Sequence, residues 1–159
     1  MTTPYVVDGV LYGADEVVGA WVQKHLHGGV ISGPYTALGV LANDGKLVCG
    51  AMWYNQRDAD VELGLYASDF RPSMPAVYRR MLAHPYQTLG VNRVSAEIAA
   101  SNERVCRLAL GLGFRLEGRK RQACKDGGDT LLFGMLRDEC IFLKKAKIDG
   151  QSAVTSSTN

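Results

Sequence analysis

The sequence is poor in the residues that staple or metallate a small protein. It has four cysteines, Cys49, Cys106, Cys124 and Cys140, and no two of them stand at C-x-x-C spacing. With only three histidines, His25, His27 and His84, a zinc site of Cys and His ligands has no spacing to rest on. His25 and His27 lie two apart near the end of a helical stretch and so point to different faces. Cys49 and Cys106 fall inside apolar patterns, where a thiol acts as a small hydrophobe. All four read as reduced thiols of a cytoplasmic protein. No apolar run approaches the roughly 20 residues of a membrane span, so no membrane partner is expected. The first residues, MTTPYVVDG, lack the basic start of a signal peptide. An excess of one charge is missing as well. Lys and Arg number 18 against 16 Asp and Glu, a net charge of +2, which is too little to argue for nucleic acid or a membrane surface.

What is present is an ordinary globular composition, 47% hydrophobic and 21% charged over 159 residues, enough for one domain with its own core. That domain is expected over residues 1–143. The tail at 144–159 turns basic, then Ser/Thr-rich, and reads as disordered. No internal repeat is visible. Residues 6–12 alternate weakly and suggest a first strand. From Asp15 to Leu26, Val18, Trp21, Val22 and Leu26 mark one face of a helix, ended by Gly28 and Gly29. Two β-rich runs flank Asn43-Asp44-Gly45, a hairpin signal. A third covers 61–66, completing an antiparallel meander.

The second half changes period. A cap at Ser73 or a neighbour and Pro75 in the first turn introduce Val77, Tyr78, Met81, Leu82, Tyr86 and Leu89 at helical spacing. Pro85 is expected to kink or break that helix, and Gly90 to cap it. Val94, Ala96 and Ile98 then share one face of a strand. Ser101 or Asn102 caps a further helix with Val105, Leu108, Ala109 and Leu112 inward, and Gly113 ends it in a left-handed conformation. Phe114–Cys124 and Thr130–Leu136 make the last strand pair. The order is β, α, three β, α, β, α, two β, a mixed α/β class with helical crossovers onto one sheet.

The stretch LGVNRVSAEIAASNERVCRLALGLGFRLEGRKRQ, followed by GDTLLFGMLRDE, resembles the GNAT superfamily of acetyl-CoA-dependent N-acetyltransferases over roughly residues 34–140. There is also a looser similarity to its small phage-encoded members. The resemblance implies a mostly antiparallel central sheet with a splayed strand pair, 61–66 and 93–98, and flanking helices. It implies acetyl-CoA as acyl donor, its pantetheine arm paired with backbone at Leu65, Tyr66 and Ala67. The pyrophosphate would rest on the amides of Ser73, Met74, Ala76 and Val77 with Arg71 as charged partner, at a helix N-terminus where anions are favoured. Asn102 matches the asparagine that contacts the arm, and Glu62 stands where the family often places its general base. Two departures stand out. The loop SDFRPSMPAV has no glycine where most members are glycine-rich. Ala109 occupies the position of the tyrosine that many members use as acid, which leaves Tyr54, Tyr66 or Cys106 for that role.

Read without the resemblance, Glu62 is equally a solvated strand carboxylate, Asn102 a helix cap and Arg71 an exposed loop residue. Trp21, Trp53 and Tyr54 read as core or pocket wall. Arg115, Glu117, Arg119 and Arg121 fall on one strand face, with Lys120 opposite; a solvated face is favoured there over a nucleic-acid surface. The expected activity is transfer of an acetyl group to an amine, borne by a small molecule or a protein, by direct attack. A homodimer is compatible with it. The alternatives are a phage-type relative that modifies a nucleobase or uses another acyl donor, and a non-catalytic binding module that keeps the fold.

Overall fold

The computed structural model of the protein describes residues 2–26, 31–68 and 75–143. Its elements are β1 (Tyr5–Val7), β2 (Val10–Tyr12), α1 (Asp15–His25), β3 (Tyr35–Leu41), β4 (Leu47–Arg57), β5 (Asp60–Ala67), α2 (Pro75–His84), a π-helical turn (Pro85–Leu89), β6 (Arg93–Ala99), α3 (Glu103–Gly111), β7 (Arg115–Lys120) and β8 (Thr130–Leu136). The strands form one sheet in the order β1-β2-β3-β4-β5-β6-β8-β7. Every neighbouring pair is antiparallel except β5 and β6, which are parallel. The mixed, mostly antiparallel sheet expected from the sequence is therefore present.

Alternation along the strands gives the sheet two faces. One is a continuous core. Trp53, Val61, Leu63, Val94, Phe133 and Met135 pack there against Val77, Met81 and Leu82 of α2, Tyr86, and Ala109 of α3. The other face has its apolar cluster under α1, where Val18 and Val22 meet Ala37 and Met52. Glycines let α1 lie close. A Cβ at Gly50 would come within 2.6 Å of Val22, and one at Gly64 within 2.7 Å of Leu26. Asp15, at the start of α1, accepts a hydrogen bond of 2.6 Å from the Ala37 amide. That bond closes the edge of β3 where its pairing with β2, Val10↔Val40 and Leu11↔Gly39, has ended.

Two local readings are corrected and one is sharpened. Residues 6–12 are not one strand but part of a hairpin turned on Asp8 and Gly9, both at positive φ (48 and 83), as a tight hairpin turn requires. Arg80 of α2 ion-pairs with Asp8 and so ties this hairpin to the middle of α2. Pro85 breaks the α-helix as expected: α2 ends at His84, and a π-helical turn runs from Pro85 to Leu89, closed by Gly90 as a left-handed cap at φ 69; the widened turn accommodates the missing proline N–H. Finally, β7 stops at Lys120, and its register on β8 shifts between Leu116 and Gly118. The extra residue, Glu117, turns the following side chains over. Arg115 and Arg119 therefore leave on opposite faces, and no continuous basic face forms. Gly28, Gly29 and the tail at 144–159 lie outside the described residues.

Candidate functional site

The parallel pair carries the site. β5 and β6 are joined only at Asp60↔Arg93, Val61↔Val94 and Glu62↔Ser95. Beyond that point they part. β5 stays with β4 as far as Cys49↔Ala67, and β6 stays with β8 as far as Ala99↔Thr130. The splay expected from the sequence is thus a wedge, closed at Glu62 and open toward Ala67 and Ala99. Its closed end is clamped. Ser95 Oγ donates to both Asp60 oxygens at 2.8 and 3.0 Å. Arg93 lies 3.6 Å from Asp60 and grips Glu117 with two bonds of 2.9 and 2.5 Å. That ion pair lies flat across Gly134, where a Cβ would overlap the Glu117 carboxylate.

Along the open part, Leu65, Tyr66 and Ala67 face β4 on one side only. Every second peptide group there points into the wedge, as strand geometry dictates, and offers an edge to an extended ligand. The wedge opens toward the starts of α2 and α3. Ala76 and Val77 lie in the first turn of α2, where backbone N–H groups have no intrahelical partner. Arg71, Ser73 and Met74 lie outside the described residues. Asn102 is the N-cap of α3: its Oδ1 accepts from the Val105 amide at 3.3 Å, and among the described residues its side-chain nitrogen has no protein partner. A groove of about 500 Å³ runs between α2 and α3, lined by Tyr78, Arg104, Arg107 and Leu108 among others.

Glu62 is half-buried and lies on the face opposite Val61 and Leu63, which are buried. Its cross-strand partner is Tyr54. The register of β4 on β5 shifts after Tyr54, and Asn55 sits in that irregularity at φ 50. The bulge aims the Asn55 amide at Glu62, with Nδ2 donating to Oε1 at 2.5 Å. Burial first, then the Glu62 charge and a hydrogen bond to it, push the Tyr54 phenol up to about 12. The charge of Glu97, across the wedge on β6, adds to that shift. Glu97 in turn accepts from Lys120 Nζ at 2.5 Å. That bond, with a contribution from Glu62, raises the Lys120 pKa and keeps the ammonium charged.

Asn55, Glu97 and Lys120 were not found by sequence reasoning. Glu97 had a signal, since it alternates with Ala96 and Ile98 and so shares the face of Glu62; the other two depend on bulges. Of the candidate acids, Tyr66 stacks on His25 at 4.0 Å and 7° and meets Trp21 edge-on. Cys106 is hydrogen-bonded toward the Ala99 carbonyl at 3.8 Å, and burial raises its pKa. Ala109 is in the core. Among the described residues no group of three or more His, Cys, Asp or Glu side chains could hold a metal, and no helix is long and apolar enough to cross a membrane.

No family model matches the sequence, and no curated protein matches it. Solved structures do match the fold. A ribosomal-protein-S5-alanine acetyltransferase from Vibrio fischeri superposes with a TM-score of 0.63 at 12% identity, over 87% of this chain and 99% of its own. The N-acetyltransferase PseH of Campylobacter jejuni, solved in complex with acetyl coenzyme A, gives 0.53 at 15% identity over 67% and 70% of the two chains. A structure described as a "probable acetyltransferase" gives 0.57 at 23% identity over 66% of this chain, and the match spans 63% of that protein, less than two thirds of its length. Another match is an acetyltransferase of the GNAT family from Bacillus anthracis. The fold of this chain is that of the GNAT acetyltransferases.

Proposed function

From that shared fold we propose that the chain is an N-acetyltransferase that moves an acetyl group from acetyl-CoA to an amine. The observation that carries the reading is the wedge between β5 and β6. It leaves a strand edge open for an extended arm, and a carboxylate stands at its closed end. Leu65, Tyr66 and Ala67 offer backbone to the pantetheine arm. Asn102 keeps an amide N–H₂ free to donate to an arm carbonyl while its oxygen caps α3. The first-turn amides of α2, Ala76 and Val77 with Ser73 and Met74 before them, and Arg71, would face the phosphates. Arg104 and Arg107 line the groove between α2 and α3.

In this reading the acceptor approaches from the face of Glu62. Two carboxylates, Glu62 and Glu97, draw an ammonium there. Glu62, oriented by Asn55 and Tyr54, takes the proton through water. The freed nitrogen then attacks the thioester carbonyl; the N–C bond forms, the C–S bond breaks and coenzyme A leaves as the thiol. Tyr54, with its phenol pushed up to about 12, stays protonated at neutral pH and serves as a donor to Glu62. The run at Arg115–Arg121 lends the nucleic-acid alternative no support. Arg115 is 3.0 Å from Glu139, Arg119 2.7 Å from Asp129 and Lys120 2.5 Å from Glu97, so three of the four cations in the run are each matched by a carboxylate. Calorimetric titration with acetyl-CoA tests the reading, followed by product mass on small amines and peptides. Binding and an acetylated amine are expected. No heat of binding and no shift in melting temperature at saturating acetyl-CoA would overturn it.

A further inference from the structure

A primary amine of the chain itself is already held at this site. Lys120 leaves the end of β7 and reaches across β8 to Glu97, with its Nζ 2.5 Å from Oε1. Glu97 lies on β6 beyond Ser95, the last residue joined to β5, and so on the wall of the wedge. Glu62, on the facing strand, acts on the same ammonium. The placement is a consequence of the bulge at Glu117: without the extra residue, Lys120 would turn to the other face of the sheet. Lys46 differs, since its partner is Asp44 in the β3–β4 turn. The Lys120 side chain is 51% exposed, which leaves half of it open to solvent.

We propose that the chain acetylates itself on Lys120, which occupies the acceptor position of its own site. This rests on the acetyl-CoA reading above. The ammonium gives a proton through water to Glu62. The amine nitrogen attacks the thioester carbonyl, the N–C bond forms and the C–S bond breaks. Coenzyme A carries the proton away as its thiol, and Lys120 becomes a neutral amide. The modification has a second effect. An acetylated lysine no longer neutralises Glu97, so the wedge gains one unit of negative charge and is opened to the ammonium of a separate amine.

The test is incubation of the purified protein with saturating acetyl-CoA, followed by intact mass and peptide mapping, with the urea-unfolded chain as control for uncatalysed acetylation. One added acetyl group is expected, at Lys120, about a hundredfold faster than at Lys24 or Lys46, the lower end of what a positioned base contributes. Lys120→Arg should lose it, and Glu62→Gln should slow it. Lys120→Gln, which mimics the neutral product, should lower KM for a small cationic amine by up to about fivefold, the worth of one exposed charge pair. Acetyl groups spread over the lysines at the rate of the unfolded chain would overturn the proposal. So would an unlabelled Lys120 in protein that acetylates a small amine, and in that case the N-acetyltransferase reading stands. Absence of acetyl-CoA binding in the titration removes both.

Discussion

The two faces of the sheet differ in what joins its halves. On the α2/α3 face, the strands before the wedge and those after it share one apolar core, and Trp53, Val61, Val94 and Met135 are all almost fully buried. On the α1 face the halves part in character. β3 and β4 are covered by α1, while β6, β8 and β7 carry Arg93–Glu117 and Lys120–Glu97 pairs in the open. Apolar burial is non-directional and holds the halves together even where backbone pairing stops. The opposite face is thereby free to hold charged side chains at the point of parting. In the proposed function, stability belongs to one face and chemistry to the other, and each of the following substitutions is a way to break that division.

The largest effect is expected on the ionic face. Glu62→Gln keeps an oxygen for Asn55 but loses the proton acceptor. Turnover of an amine should fall about 10²–10⁴-fold, with acetyl-CoA affinity and melting temperature near those of the parent. Steady-state kinetics beside a calorimetric titration separates the two quantities. Equal turnover in parent and variant across pH would make Glu62 a surface carboxylate.

The core face predicts the converse. Met135 is 0% exposed, and its carbonyl accepts the Tyr86 hydroxyl at 2.7 Å. Met135→Ala leaves a cavity between the sheet and the helices, at a cost of about 2–5 kcal/mol. Urea unfolding should show that loss, while the fraction that remains folded keeps its acetyl-CoA affinity within about threefold, which is roughly 0.6 kcal/mol. A specific loss of affinity without a loss of stability would mean that the core face shapes the wedge directly.

The same division explains what could be read from the sequence. Apolar residues at period 2 or near 3.6 report burial, so the core face was legible. The meander around Asn43-Asp44-Gly45, the inward set Val94, Ala96 and Ile98, and the α3 cap at Asn102 all stand where the pattern puts them. Glu62 could be assigned to the other face by the same alternation. Signals failed where they were shorter than a period. Strands of three residues at Tyr5–Val7 and Val10–Tyr12 show no alternation, although Asp8-Gly9 is a turn signal. The ionic face was illegible because its pairs join residues distant in sequence, such as Arg93 and Glu117, and because one bulge decides which way Lys120 points. No local pattern encodes that.

A smaller effect is expected where the two faces meet, at the start of α3. Asn102→Asp keeps the cap, since both side chains accept from a first-turn amide, and it keeps a favourable charge at the helix N-terminus. It removes the N–H₂ donor that the pantetheine arm would need. Folding stability should be nearly unchanged, while acetyl-CoA binding weakens by about 1–3 kcal/mol, or roughly five- to a hundredfold. Affinity equal to the parent's in the titration would leave Asn102 a cap and nothing more.

The smallest effect concerns the clamp at the closed end of the wedge. The hydrogen bond from Arg93 holds the Glu117 carboxyl below its ordinary range, with the Arg93 charge adding to it. A carboxyl whose pKa is lowered by folding contributes stability above its unfolded pKa and loses it as pH falls through the folded value. Both side chains are about a third exposed, 31% for Arg93 and 38% for Glu117, so the pair is worth about 1 kcal/mol at most. Glu117→Gln should therefore melt slightly below the parent at pH 7. The gap should begin to narrow near about pH 4, where the unfolded carboxyl binds its proton, and close as pH falls through the lower value of the folded one. It should narrow with added salt, because the pair is open to solvent. A gap that stayed constant from pH 7 to pH 3 would show that Glu117 acts through its packing across Gly134, and that its charge pair with Arg93 contributes nothing to stability.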